Sequence, residues 1–269
     1  MPDDQWRTLA PRWEQARELL WTATRPVSEW LVDQLAPRPG DVVLDLAAGT
    51  GETGFLAAER LGPGGRLISA DLEPGMVEAA ERLAATRGIA NADFRVLDSR
   101  RLELAAASVD GVLSRFGYIL KGDPPPALRE IRRVLRPGRR LAFAVWAERS
   151  RNPWMTIPTD VMVARGHLSG TAAGEVELSA RRNPESIARL LADAGFSDPE
   201  IEEMPIAYRF ADADELWFFV SELRGPVALA LAVLDESERA ALRAEIEARA
   251  GLPGSGFELA GVSLNVVTS

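Results

Sequence analysis

The stretch of sequence that decides the fold is residues 42–54, VVLDLAAGTGETG. Its first five residues form an apolar run interrupted only by Asp45, which is typical of a strand covered on both faces of a parallel sheet. The glycines that follow let the backbone turn sharply and approach a ligand closely, because they carry no Cβ. The stretch therefore predicts a strand, a turn that binds a nucleotide-like cofactor, and the start of a helix.

The charges around this turn indicate which cofactor binds there. Residues 49–54 match the dinucleotide pattern G-x-G-x-x-G, and Asp71 lies twenty residues after its second glycine. However, Asp45 and Glu52 would repel a pyrophosphate, and the loop has no Lys or Arg to offset them. S-adenosylmethionine (SAM) carries an ammonium and a sulfonium group, so it is compatible with these acids. Two alternatives remain open: an NAD(P)-dependent oxidoreductase, and a module that binds SAM or S-adenosylhomocysteine without turnover.

Composition narrows the function classes further. The 269 residues carry a net charge of -9, which disfavours a nucleic-acid substrate. The absence of cysteine excludes disulfides, thiolate metal sites and a cysteine nucleophile, and a single histidine excludes a multi-histidine metal site. No leader pattern and no long apolar run is present. We therefore expect a cytoplasmic protein without metal or membrane span, acting on a small molecule as a monomer or a homodimer.

Short apolar runs alternate with helical patterns along the chain. This alternation predicts an α/β fold, a doubly wound, seven-stranded, mostly parallel sheet with helices on both faces. Strands are predicted at residues 42–46, 66–71, 94–98, 109–114, 140–146, 200–210 and 257–268. Helices are predicted at residues 52–61, 74–87, 125–135 and 184–194, and residues 211–250 are mostly helical.

Three segments are predicted around this core. Residues 1–36 read as a helical N-terminal cap, residues 37–150 as the cofactor-binding core, and residues 151–269 as acceptor-side helices, a lid insertion at about 211–250 and the last two strands of the same sheet. The cap holds two amphipathic helices with Trp6, Trp13, Trp21 and Trp30. The sequence is equally compatible with two interpretations of these tryptophans, a lid over the cofactor and packing on the sheet, because aromatic side chains bury well in both settings.

Five motifs occur in order over about residues 38–147: VLDLAAGTGETG, ADLEPGMVEAA, FRVLDSRRLEL, SVDGVLSRFGYIL and ALREIRRVLRPGRRLAFAVW. Their order and spacing resemble the class I SAM-dependent methyltransferases, and most of all the branch around the menaquinone and ubiquinone C-methyltransferases. The resemblance implies a Rossmann-like core that binds SAM and methylates oxygen, nitrogen or carbon of an acceptor. The acceptor-side signature of the quinone enzymes, a Tyr-Asp pair followed by Met-Asn, is missing before the first strand.

The resemblance also assigns residues to parts of the cofactor. The first motif would wrap the aminoacyl end, Asp71 would accept hydrogen bonds from the ribose hydroxyls, and Asp98 would accept one from the adenine amine. Met76 would lie against the adenine, and Ser114 and Phe116 would form a floor and a wall. The full set of implied cofactor residues is Asp45, Ala47, Gly49, Thr50, Gly51, Asp71, Leu72, Met76, Asp98, Ser99, Ser114 and Phe116.

Methyl transfer from a sulfonium is an in-line displacement, which chiefly needs alignment and exclusion of water. Some acceptors also need a base. His167 is the candidate base, because histidine exchanges a proton near neutral pH and this is the only one in the chain. Weaker candidates are Tyr118, Asp123 and Glu148, and Trp146 and Trp154 are candidate aromatic contacts for an acceptor.

Overall fold

A computed structural model of the protein describes residues 17–120, 124–169, 183–223, 226–251 and 256–269. The first of the two predicted N-terminal helices, with Trp6 and Trp13, lies outside the described residues, as does Asp123.

The described residues form a seven-stranded sheet with the order β3-β2-β1-β4-β5-β7-β6. β1 pairs in parallel with β2 and with β4, β2 pairs in parallel with β3, and β4 pairs in parallel with β5. The predicted fold class, a doubly wound and mostly parallel seven-stranded sheet, is confirmed. The strands are β1 (Val42–Leu46), β2 (Arg66–Asp71), β3 (Ala92–Val96), β4 (Val109–Arg115), β5 (Leu135–Trp146), β6 (Glu200–Phe210) and β7 (Phe257–Thr268).

Helices fill most of the connections between the strands. The α-helices are α1 (Arg17–Leu35), α2 (Glu52–Leu61), α3 (Pro74–Arg87), α4 (Pro124–Val134), α5 (Pro153–Ala164), α6 (Pro184–Asp193), α7 (Ala213–Phe218), α8 (Pro226–Leu231) and α9 (Glu236–Ala250). Short 3-10 turns cover Tyr118–Leu120 and Arg149–Arg151, and a π-turn covers Phe219–Leu223. None of the described helices is both long and apolar enough to cross a membrane.

Most predicted bounds are confirmed, and two strands differ. β3 occupies residues 92–96 instead of 94–98, because Leu67 to Asp71 of β2 pair with Ala92 to Val96. β5 begins at Leu135 instead of residue 140, so residues 135–139 lie within it. The pairing jumps from Val109–Leu135 to Gly111–Arg140, so the strand is irregular around Gly138, which has φ 73°.

The chain divides into two compact units. The sheet unit comprises Thr24–Val145, Asn183–Met204 and Ser263–Ser269. The helix-rich unit comprises the described parts of Met1–Ala23, Trp146–Arg182 and Pro205–Val262. The division into three sequence segments stays a prediction.

Parallel pairing gives the sheet unit two distinct edges. Because β1, β2, β3 and β4 run in one direction, their carboxyl ends share one edge and their amino ends the other. The four residues from Val43 to Leu46 are buried, as the apolar run predicts, and β3 is only partly buried because it is an outermost strand. The residues implied by the first four motifs therefore gather at the carboxyl edge, where open α/β sheets bind ligands.

The tryptophans of the described chain differ in their surroundings. In the sheet unit, the indole N–H of Trp30 donates to a carboxylate oxygen of Glu202 at 2.9 Å. In the helix-rich unit, Trp154 is buried, with its ring centroid 4.6 Å from that of Tyr208 and 4.8 Å from that of Trp146. Trp154 therefore packs within an aromatic core. Trp146, which is half-buried, keeps part of its ring surface accessible.

Candidate cofactor-binding site

The turn after β1 is held in left-handed backbone conformations. Ala47 has φ 53°, Gly49 φ 58° and Gly51 φ 89°. At Gly51 a Cβ would lie 2.6 Å from the ring of Phe55, so both the conformation and the space require glycine. The Ala48 N–H donates to the carbonyl of Ala70 at 3.0 Å, which fixes the turn to the end of β2. The backbone is therefore shaped to pass close to a ligand without side chains in between.

Asp71, at the end of β2, is tied to this turn. One carboxylate oxygen accepts the Gly49 N–H at 2.9 Å and the other accepts the Glu73 N–H at 3.0 Å. Burial raises the pKa of Asp71, and these two N–H groups offset only part of that rise. Each carboxylate oxygen can accept more than one hydrogen bond, so both retain capacity for the hydroxyl pair of a ribose.

Asp45, in β1 at the carboxyl edge, has a buried carboxyl group whose charge is only partly compensated. Its side chain is buried, and its Oδ2 has no hydrogen-bond partner among the described residues. Burial raises the pKa of Asp45 to about 7, and the carboxylates of Asp71 and Glu52 add to the rise, while the charge of Arg115 and the Gly54 N–H oppose it. A buried carboxylate oxygen without a partner is costly, and a cationic ligand would compensate it.

Glycine at position 54 lets helix α2 approach that carboxylate. A Cβ there would lie 2.7 Å from Asp45 Oδ2 and 3.1 Å from the side chain of Leu67. The third glycine of the motif therefore has a packing role, which differs from the conformational role of Gly51. Beside it, the hydroxyl of Thr50 donates to a carboxylate oxygen of Glu52 at 2.6 Å.

Arg115 is a charged residue near this turn that the sequence patterns miss. Although the loop itself has no cation, Arg115 at the end of β4 supplies one, and its Nε donates to the hydroxyl of Thr53 at 2.9 Å. Its Nη1 donates to Thr24, and the Thr53 hydroxyl lies 2.9 Å from that of Ser28. The only signal in the sequence is a charged residue directly after an apolar strand, next to the predicted Ser114.

The predicted adenine side of the site is more open. Leu72 is 53% exposed, Met76 is buried, and Ser99 is half-buried. The Asp98 carboxylate accepts hydrogen bonds from the Arg100 guanidinium at 2.7 to 3.1 Å, and these bonds lower its pKa. An adenine amine would therefore share the Asp98 carboxylate with Arg100. The role of Asp98 in binding adenine stays a prediction.

Ser114 and Phe116 are placed by the backbone around them. Ser114 is fully buried, and its hydroxyl donates to the carbonyl of Leu46 at 2.9 Å, so it braces β4 against β1. Phe116 has φ 57°, is half-buried, and donates its N–H to the carbonyl of Ala144 at 2.9 Å. The structure thus gives the Ser114 side chain a bracing function, and the predicted contacts of both residues with a ligand stay predictions.

His167 belongs to the helix-rich unit. Its Nε2 lies 2.8 Å from an oxygen of Glu238, whose carboxylate also accepts two hydrogen bonds from Arg165, at 2.9 and 3.0 Å. The bonds from Arg165 and then from His167 lower the pKa of Glu238 to about 2. Nε2 is therefore engaged by a carboxylate, Nδ1 is the ring nitrogen that could act as a base, and catalysis by His167 stays a prediction.

Comparison with known proteins agrees with this geometry. Residues 37–173, more than half of the chain, match the family described as "Methyltransferase domain". The chain is 31% identical over 187 residues to an arsenite methyltransferase of Halobacterium salinarum, covering 70% of this chain and 43% of the relative. It is 30% identical over 178 residues to a ubiquinone/menaquinone biosynthesis C-methyltransferase of Hydrogenovibrio crunogenus, covering 62% of this chain and 70% of that one.

A solved structure shows the same fold. Phosphoethanolamine N-methyltransferase 2 of Haemonchus contortus, in complex with S-adenosyl-L-methionine, matches with a TM-score of 0.55 and 18% identity, over 89% of this chain and 51% of that chain. The chain spans between 42% and 54% of the length of the first curated relatives that it matches. With a matched methyltransferase domain, a relative at 30% identity over most of its own length and the predicted fold confirmed, the chain belongs to the class I SAM-dependent methyltransferases.

Proposed function

We propose that this chain transfers a methyl group from SAM to a small-molecule acceptor, and that SAM binds at the carboxyl edge of the sheet unit. The observation that carries the proposal is the buried Oδ2 of Asp45, which has no hydrogen-bond partner among the described residues and lies in the strand that leads into the glycine turn. SAM has an ammonium and a sulfonium group at its aminoacyl end, which is the charge that such a carboxylate lacks.

Each part of the cofactor has a matching group in the sheet unit. We assign the aminoacyl end to Asp45 and to the turn formed by Ala47, Gly49, Thr50 and Gly51. We assign the ribose to Asp71, because its carboxylate is fixed by two backbone N–H groups and retains acceptor capacity. We assign the adenine to predicted residues that follow β2 and β3 in the chain, which are Leu72, Met76, Asp98 and Ser99.

The charge pattern also argues against NAD(P). A pyrophosphate at this turn would face Asp45 and Glu52, both buried, with Arg115 as the cation whose charge acts on Asp45. Arg115 already donates to Thr53 and Thr24, so it is committed to the protein. The carboxyl edge therefore favours a cationic ligand over a polyanionic one.

SAM carries its methyl group on a sulfonium. When the acceptor takes the methyl group, the sulfur becomes a neutral thioether and is the leaving group. The protein's contribution is to hold the donor in one orientation and to keep water away, as the fixed turn, the bracing Ser114 and the constrained Phe116 would do. The names of the two relatives described above refer to arsenite and to ubiquinone and menaquinone biosynthesis. Arsenite and the quinones are small molecules, which supports an acceptor of the same size class.

Two measurements test the proposal. Calorimetric titration with SAM and with NADH separates a methyltransferase from an oxidoreductase, and we expect binding of SAM alone. Turnover of methyl-labelled SAM across a panel of oxygen, nitrogen, carbon and arsenic acceptors separates an enzyme from a binding module. Label in any acceptor supports the proposal, whereas tight SAM binding without transfer to any acceptor in the panel would favour the module.

A further inference from the structure

We propose that Arg115 is a positioning residue, whose anchored guanidinium is the fixed cation beside the buried Asp45 carboxyl that meets the aminoacyl end of SAM. The inference rests on the proposed function, since the ammonium group of SAM is the charge that would meet Asp45. It adds a role for a residue outside the predicted site and makes the binding of SAM depend on proton release.

The guanidinium of Arg115 is held in place by two helices. Its Nε donates to Thr53 on α2 at 2.9 Å, and its Nη1 donates to Thr24 on α1. The Thr53 hydroxyl is itself 2.9 Å from that of Ser28 on α1. Three buried hydroxyl side chains thus fix a charged strand-end residue, so the position of the charge is part of the fold.

Arg115 lies near Asp45 in the sheet, because Asp45 pairs with Leu113, two residues before Arg115 on β4, and Arg115 is anchored by Thr53, next to the Gly54 that packs against Asp45 Oδ2. Glu52 on α2 and Asp71 on β2 are carboxylates, and Arg115 on β4 is the cation that opposes them. The remaining favourable contribution is the Gly54 N–H. One fixed cation therefore opposes the two neighbouring carboxylates, and its removal leaves only a neutral donor to stabilise the ionised form of Asp45.

Arg115 determines how strongly SAM binding is linked to protons. Burial raises the pKa of Asp45 to about 7, with Arg115 as the largest opposing influence. The free protein therefore holds this proton on most molecules at about pH 6, and an arriving ammonium group expels it. SAM affinity should rise with pH up to about pH 7 and then level off. Without Arg115, the levelling should occur at a higher pH.

The test is calorimetric titration of the full chain in two buffers of different ionisation enthalpy, which counts the protons released. At about pH 7, wild-type protein should release about 0.5 proton per SAM, and Arg115→Gln should release more. Because the wild type and the variant are compared at the same pH, any proton that SAM itself exchanges contributes equally to both counts. Decarboxylated SAM keeps the ammonium group and should show the same difference, whereas methylthioadenosine lacks the aminoacyl end and should release no proton in either protein.

Three variants serve as controls. Arg115→Lys keeps the charge but not both anchoring bonds and should give a proton count closer to wild type than Arg115→Gln does, and Asp45→Asn should abolish proton release. Arg95→Gln removes a strand arginine that pairs with Asp93, and it should change nothing. If Arg115→Gln does not fold, Thr53→Val serves in its place, because it removes the hydroxyl that anchors Arg115. It should release more protons per SAM than the wild type does.

Several results would overturn the inference. One is a proton count in Arg115→Gln, or in Thr53→Val where that variant is used, equal to that of the wild type. Another is an Arg115→Gln variant that loses affinity for SAM but not for decarboxylated SAM, which would make Arg115 a direct contact of the SAM carboxylate. A wild-type protein that does not bind SAM at all would instead refute the proposed function.

Discussion

The two edges of the sheet unit both carry buried aspartates, but only one edge neutralises them. At the amino edge, Asp110 accepts the Val42 N–H at 3.0 Å and pairs with Arg136 at 2.5 Å and Arg139 at 2.9 Å. At the carboxyl edge, Asp45 keeps one oxygen without a partner among the described residues.

The pKa values of the two aspartates follow this difference. Burial alone would raise the pKa of Asp110, but the Val42 N–H and the guanidinium groups of Arg136 and Arg139 outweigh it and lower that pKa. At Asp45 burial prevails and the pKa rises to about 7. The amino edge is thus a completed structural network, whereas at the carboxyl edge the proposed ligand would supply the missing partner.

The largest expected effect is on stability at the carboxyl edge. The folded protein raises the pKa of Asp45 from 3.8 to about 7, so its contribution to folding is fully present below about pH 4 and is lost as the pH rises to about 7. The stability of Asp45→Asn relative to the wild type should therefore be about 4 kcal/mol more favourable at about pH 8 than at about pH 4. Urea unfolding at both pH values measures this, and a difference that does not change with pH would contradict it.

The same substitution at the amino edge should act in the opposite direction. Asp110→Asn removes the carboxylate that pairs with Arg136 and one of the two that pair with Arg139, which keeps Asp41, and should cost about 1–3 kcal/mol of unfolding free energy near neutral pH. Because the pKa of Asp110 is lowered, this cost should disappear as the pH falls through the acidic range. Urea unfolding is again the measurement, and we expect the SAM dissociation constant to stay within about twofold of wild type. A stabilised Asp110→Asn would break the contrast between the edges.

Loss of the ribose partner should weaken binding. Asp71→Ala removes a charge-assisted acceptor, which is worth about 1.5–3 kcal/mol, so SAM affinity should fall at least about tenfold. Asp93→Ala on β3 is the matched control, because Asp93 pairs with Arg66 and Arg95. Calorimetric titration of both variants gives the comparison. A folded Asp71→Ala with unchanged affinity would remove Asp71 from the site.

The smallest effect is expected in the helix-rich unit. His167→Ala removes one partner of Glu238 while Arg165 still holds that carboxylate through two bonds, so the stability loss should be below about 1 kcal/mol. Thermal unfolding measures that loss, and turnover tests the predicted base. A fall in turnover of about 100-fold or more would establish His167 as catalytic, because general bases contribute at that level.

The sequence predicts the parts of the site that depend on local pattern. The run into Asp45 and the glycines after it specify β1 and its turn, and Pro74 specifies the start of α3. Contacts between distant residues were not predictable. Arg115 meets Thr53 and Thr24 across 62 and 91 residues of chain, and the shift of β3 follows from its pairing with β2.

The most direct test of the central claim is calorimetric titration of the wild-type protein with SAM, with NADH as the comparison ligand. A carboxyl edge that is completed by a cationic ligand predicts saturable binding of SAM, with no binding of NADH. Saturable binding of NADH without binding of SAM would contradict the account, because it would mean that the buried acids around Asp45 accept a pyrophosphate.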